Sequence, residues 1–90
     1  MDFDWTLYPD SELSPDDVSE TFEDPFSLRF LPDSGPIADQ SRFFCLGKSI
    51  KGQGLFSIYR STGKVITILF ARPMTEDEDY FYRRMLKEST

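Results

Sequence analysis

The sequence predicts an α+β domain: a small antiparallel sheet in the order β-α-β-β-β-β-α, with helices packed on one face. Three observations carry that prediction. Apolar residues alternate with polar ones in several short runs, the period of a strand with one wet face. Two segments, opening at Ser14-Pro15 and at Thr75, carry helix-start chemistry. The chain has 90 residues, enough for one domain, and its nine Phe, four Tyr and one Trp let a small core bury much area per residue.

The elements follow in order. Phe3, Trp5 and Leu7 alternate with Asp2, Asp4 and Thr6, a strand ended by Tyr8-Pro9-Asp10-Ser11. Ser14 can cap a helix, Pro15 suits its first position, and Asp16 and Asp17 sit on the positive end of its dipole. Leu13 and Val18 are spaced as a hydrophobic staple, and Val18 and Phe22 share a face. Pro25 disfavours helix at Asp24, so this helix is short. Phe26, Leu28 and Phe30 alternate with Ser27 and Arg29 as a second strand, and a loop follows from Pro32 to about Gln40.

Arg42 to Gly47 reads as a strand, Lys48 to Gly54 as a loop with two glycines, and Leu55 to Arg60 as another strand. Ser61-Thr62-Gly63 is a connection of hairpin length. Lys64 to Ala71 is β-branched and apolar on both faces, which predicts a central strand. Arg42 to Ala71 is therefore read as a three-stranded antiparallel meander. Thr75-Glu76-Asp77-Glu78 is a capping box. The helix after it pairs Phe81 with Met85 and Tyr82 with Leu86, and carries Arg83, Arg84 and Lys87 near its negative end.

The net charge of −6 hides a segmental pattern. Residues 1–40 hold eleven acids and one base, Arg29. Residues 41–72 hold six bases and no acid: Arg42, Lys48, Lys51, Arg60, Lys64 and Arg72. Residues 73–90 hold five acids and three bases. The six bases fall on one meander, so they can share a surface attractive to a phosphate backbone. Solvated strand ends, or partners for the acids of the first segment, are the commoner explanation of such charges in a small domain.

Other chemistry is limited. One cysteine excludes an internal disulfide, and zero histidines exclude His-based triads and His metal sites. Cys45, between phenylalanines, reads as a small buried hydrophobe. The acids at 16–17 and 76–79 sit where helix starts want carboxylates, so no metal is expected. Tyr59 and Tyr82 are candidates for proton transfer, or core residues with a wet hydroxyl. Phe43, Phe44, Phe56, Tyr59 and Phe70 can stack bases or fill a core. The longest apolar run, Val65 to Ala71, is too short to span a bilayer, and the acidic start is unlike a signal peptide, so a cytoplasmic protein is expected.

An ordered set of residues resembles a known family. It comprises Phe3 and Trp5; Ser14 through Phe22, then Asp24-Pro25; Arg42, Phe43 and Gly47; Tyr59 and Gly63; Ala71-Arg72; and Thr75, Glu78 and Tyr82. In this order the chain resembles BrnT, the toxin of a bacterial type II toxin–antitoxin pair related to the RelE/ParE ribonuclease toxins. It departs from the family in lacking a basic, histidine-containing stretch between Trp5 and Ser14. The family's last strand usually reads Arg-Ile-Ile-Ser-Ala-Arg, and here Thr67 and Phe70 replace the first arginine and the serine.

The resemblance implies a RelE/ParE-like fold over residues 1–90 and ribosome-independent RNA cleavage without a metal or other cofactor. A 2′-hydroxyl would attack the adjacent phosphate. Arg42 and Arg72 would stabilise the phosphoryl charge, Tyr59 or Lys64 would assist proton transfer, and Lys48, Lys51 and Arg60 would bind RNA. The implied partner is a BrnA-like ribbon-helix-helix antitoxin, through which alone the protein would meet DNA. The alternative is a non-catalytic acidic binding or inhibitor protein on the same fold. A third reading is a structural subunit meeting its partner through an apolar patch.

Overall fold

The computed structural model describes residues 2–9, 13–30, 42–62 and 64–88. The loop expected over residues 32–40 and the turn glycine at position 63 lie outside them. The elements are β1 (Asp2–Asp4), α1 (Pro15–Glu23), β2 (Leu28–Phe30), β3 (Arg42–Lys48), β4 (Gly54–Thr62), β5 (Val65–Pro73) and α2 (Glu76–Glu88), in the expected order. No helix among the described residues is long and apolar enough to cross a membrane.

The strands form one sheet in the order β1-β5-β4-β3-β2. β3, β4 and β5 are the expected antiparallel meander, with Arg42 opposite Arg60 and Thr62 opposite Val65. The sheet is mixed, however, and not wholly antiparallel. β1 runs parallel to β5, with Asp2, Phe3 and Asp4 beside Val65, Ile66 and Thr67. Period-two alternation identifies a strand but carries no information about its neighbour or direction. The middle place belongs to β4, with β5 one position out. The unbroken apolar run in β5 has a local cause. The register with β4 shifts between Ile58 and Tyr59, which face Phe70 and Ile68, so Leu69 is the extra residue of a bulge.

Two strands are shorter than their alternation implies, and a carboxylate explains each. Asp4 Oδ1 accepts from the Thr6 N–H and hydroxyl, and the Tyr8 N–H donates to the Trp5 carbonyl, so the chain turns after Asp4. Asp24 Oδ1 accepts from the Phe26 N–H, and the Ser27 N–H donates to the Asp24 carbonyl, which delays β2 until Leu28.

The helix starts are built as expected. Ser14 Oγ accepts from the Asp17 N–H at 3.2 Å. Thr75 and Glu78 exchange the two bonds of a capping box, at 2.9 and 3.2 Å. α1 lays Val18 and Phe22 on one face of the sheet, where they join Leu13, Cys45, Leu55, Tyr59, Ile66, Ile68 and Ala71 in the core. Phe22 meets Tyr59 and Phe3 edge-on, with ring centroids 5.0 and 5.5 Å apart. Gly47 lets α1 come this close, because a Cβ there would stand 2.6 Å from the Thr21 carbonyl oxygen.

The helices do not share a face. Leu46, Phe56 and Arg72 are register partners whose side chains alternate with those of Cys45, Ser57 and Ala71, and so point away from α1. α2 meets this second row. Glu78 pairs with Arg72, and the Lys48 ammonium lies over the Tyr82 ring. Leu46 and Tyr82 are buried apart from the main core. Both faces carry apolar rows, so each helix covers one, whereas chain order alone placed both on the same side.

Candidate functional site

Strand register sorts the basic residues of the meander. Arg42, Arg60, Lys48 and Arg72 belong to the side-chain set that points away from α1. Lys64 lies in the turn joining β4 to β5, where its carbonyl accepts from the Asp2 N–H. Lys51 lies in the loop between β3 and β4 and faces Asp17 of α1 at 3.8 Å. The α1-distal face is thus the face of the meander's arginines, whereas Arg29 of β2 lies on the α1 side and donates to the Phe22 carbonyl.

Along the strands these residues form two groups. Arg42, Arg60 and Lys64 lie at the end of the β4–β5 turn, while Lys48, Lys51 and Arg72 lie at the other end. Arg42 and Arg72 belong to rows four residues apart, a separation of about 13 Å along a strand. Between them runs the row Phe44, Ile58 and Phe70.

Arg72 is held in place. Its two terminal nitrogens donate to the two Glu78 carboxylate oxygens at 2.8 and 2.9 Å, and its guanidinium carbon stands 4.3 Å from the Phe56 ring centroid. The hydrogen bond to Glu78 raises the Arg72 pKa, and the same bond lowers that of Glu78. Arg42 and Arg60 stand directly opposite each other, and neither side chain has an acidic partner among the described residues. The Arg60 Nε is closed off from solvent and meets no acceptor.

Tyr59 is not brought together with these arginines. It lies on the α1 side, 4% exposed, against Phe22 and stacked on Phe43 at 5.4 Å. Burial raises its pKa. Cys45 lies on the same buried side, and burial pushes its thiol up to about 11. Tyr82 donates its hydroxyl to Asp24 Oδ2 at 2.5 Å, and burial is the main cause of its raised pKa.

Three residues matter more than the sequence reading allowed. Glu78 is visible in sequence as a capping residue, yet it also fixes Arg72. Asp24 is visible as a helix stop, yet its carboxylate accepts from the Phe26 N–H, the Lys48 N–H and the Tyr82 hydroxyl. Phe70 sits in an apolar run that reads as core, yet it is 40% exposed on the same face as Arg72. Two acids of α1 are also structural, since Glu20 accepts from the Ile50 N–H and Asp17 faces Lys51. No protein-family model matches the chain, and no curated protein matches it in sequence.

Proposed function

We propose that the chain is a BrnT-like toxin component of a type II toxin–antitoxin pair, built on a RelE/ParE-like fold and acting on RNA as a metal-independent endoribonuclease. The observation that supports this best is the register that puts Arg42, Arg60, Lys48 and Arg72 on one face of the sheet. A phosphate backbone laid there meets Arg42 and Arg60 first, while at the α2 end Arg72 is paired with Glu78 and Lys48 lies over the Tyr82 ring. The register also bears on a departure from the family pattern. Thr67 replaces an arginine, and its direct cross-strand partner is Arg60, so a guanidinium stays in that row from the neighbouring strand.

In the reaction, the 2′-oxygen attacks the adjacent phosphorus and the bond to the 5′-oxygen breaks. A 2′,3′-cyclic phosphate and a free 5′-hydroxyl result, with one proton leaving the 2′-oxygen and one reaching the 5′-oxygen. Arg42 is exposed and positioned to neutralise the phosphoryl charge, and Lys64 is the exposed cation at the same end for the proton step. Arg72, tied to Glu78, serves as a second phosphate contact at the far end. Phe81 and Met85, exposed one turn apart on α2, offer an apolar strip to an antitoxin segment.

The test is incubation of purified protein with RNA beside Arg42→Ala and Arg72→Ala variants, together with expression in growing cells. Cleavage and growth arrest that are lost in Arg42→Ala support the reading. Intact RNA with unimpaired growth overturns it. A non-catalytic acidic binding or inhibitor protein on the same fold is the second reading, favoured by the burial of Tyr59 behind the sheet and the tethering of Arg72. Absence of cleavage and growth arrest, with salt-sensitive binding of a basic protein, would select it.

A further inference from the structure

Two arginines directly opposite each other on neighbouring strands repel. Here the repulsion between Arg42 and Arg60 is unrelieved, for neither side chain has an ion pair or hydrogen bond among the described residues. Asp2 and Asp4 are the described acids in line with this row, on β1 beyond Val65 and Thr67, while Glu78 at the α2 end of the face is held by Arg72. Asp4 is already engaged by Thr6, whose hydrogen bonds lower its pKa. The row thus has a positive side over β3 and β4 and a negative side over β1. An anion is drawn to one half of the face and excluded from the other.

The next row toward α2 contains Ile58 and the exposed ring of Phe70, about 7 Å along the strands from the arginines. Two adjacent guanidinium groups with no partner among the described residues, beside an exposed aromatic on a pleated surface, match one ligand chemistry. It is a phosphodiester chain with unpaired bases, because a base in a duplex has no free face to stack. We propose that the α1-distal face is a binding site for single-stranded RNA in which Arg42 and Arg60 together hold one phosphate and Phe70 stacks a neighbouring base. This rests on the reading of the chain as a protein that acts on RNA, and it adds the strandedness of the substrate and the residues that select it. Stacking on Phe70 is indifferent to base identity, so the site reads single-strandedness and not sequence.

The test uses the full chain and a 2′-O-methylated oligouridine of about ten nucleotides, which cannot be cleaved by its own 2′-oxygen. Binding is followed by fluorescence anisotropy from about 50 to 200 mM salt. The single strand should bind, a duplex of the same length should bind at least about fivefold more weakly, and affinity should fall steeply with salt. Arg42→Gln with Arg60→Gln should flatten the salt slope by about 0.7, the loss of one phosphate contact on a single strand. Phe70→Ser should weaken the oligouridine by roughly tenfold and leave an abasic strand unchanged, a pattern that a merely destabilised protein would not give. Arg60→Lys keeps the charge and should keep the salt slope while losing the forked donors.

Equal affinity for single strand and duplex, or binding untouched by the glutamine variants, overturns the inference. Loss of nuclease activity as a reading does not: an uncleaved strand that still binds through Arg42, Arg60 and Phe70 retires the nuclease and keeps the site. Conversely, RNA cleavage undiminished in Arg60→Gln and Phe70→Ser keeps the nuclease and retires the site.

Discussion

Arg72 holds Glu78 through two parallel hydrogen bonds, at 2.8 and 2.9 Å, and this pair joins the last strand to the last helix. The same Glu78 accepts from the Thr75 N–H, so one carboxylate both starts α2 and anchors it to the sheet. α2 is otherwise strongly polar, with four acids in its first turn, and Tyr82 is its buried residue.

Glu78→Gln should therefore loosen α2 and destabilise the protein by about 1 kcal/mol, a figure kept small because Arg72 is partly open to solvent. The Glu78 carboxyl is lowered from its ordinary value of 4.5, chiefly by Arg72. Its contribution is thus fully present above 4.5 and is lost as the pH falls through the lowered folded value. Urea midpoints of wild type and Glu78→Gln should differ most near neutrality and converge in acid.

Gly47→Ala should cost roughly 1–3 kcal/mol, since its Cβ would meet the Thr21 backbone oxygen at 2.6 Å and force α1 off β3. Thermal melts should show a lowered midpoint. Gly52→Ala should act through strain instead, because Gly52 has φ +86° and open space around its Cα, and should cost about 1 kcal/mol.

Asp24→Ala should cost about 2–4 kcal/mol, because it removes acceptors for two backbone N–H groups and the Tyr82 hydroxyl at once. Tyr82→Phe removes one of these bonds and should cost about 1 kcal/mol. Chemical denaturation of the two single variants and the double variant should reveal coupling, with the double costing less than the sum.

The Cys45 thiol, pushed up to about 11 by burial, should resist alkylation by iodoacetamide at mildly alkaline pH and react promptly once the chain is unfolded in denaturant. Rapid labelling of the folded protein would contradict its placement between α1 and the sheet.

Local signals in the sequence carried far in this molecule. The capping box at Thr75, the Ser14-Pro15 start, the meander and the burial of Val18 and Phe22 follow from short-range patterns that the structure keeps. Pairing across long separations was not legible. Nothing near Asp2 announces that its neighbour is Val65, nor that β1 runs parallel to it. The face each helix covers was equally hidden, since Leu46 and Cys45 are both apolar and only the register decides which meets α1. At the candidate site, the grouping of six bases on one meander was legible. The placement of Tyr59 behind the sheet was not, because it depends on which face of β4 is covered by α1.

The parallel pairing of β1 with β5 also governs how the chain can be made. Asp2 is synthesised before its partner Val65, which follows only after α1, β2, β3 and β4. Until then Phe3 has no strand to lie beside, and the first strand must wait as an unpaired tether while the meander forms. Closure of the sheet therefore follows synthesis of β5, and any factor that engages the nascent β1 segment competes directly with it.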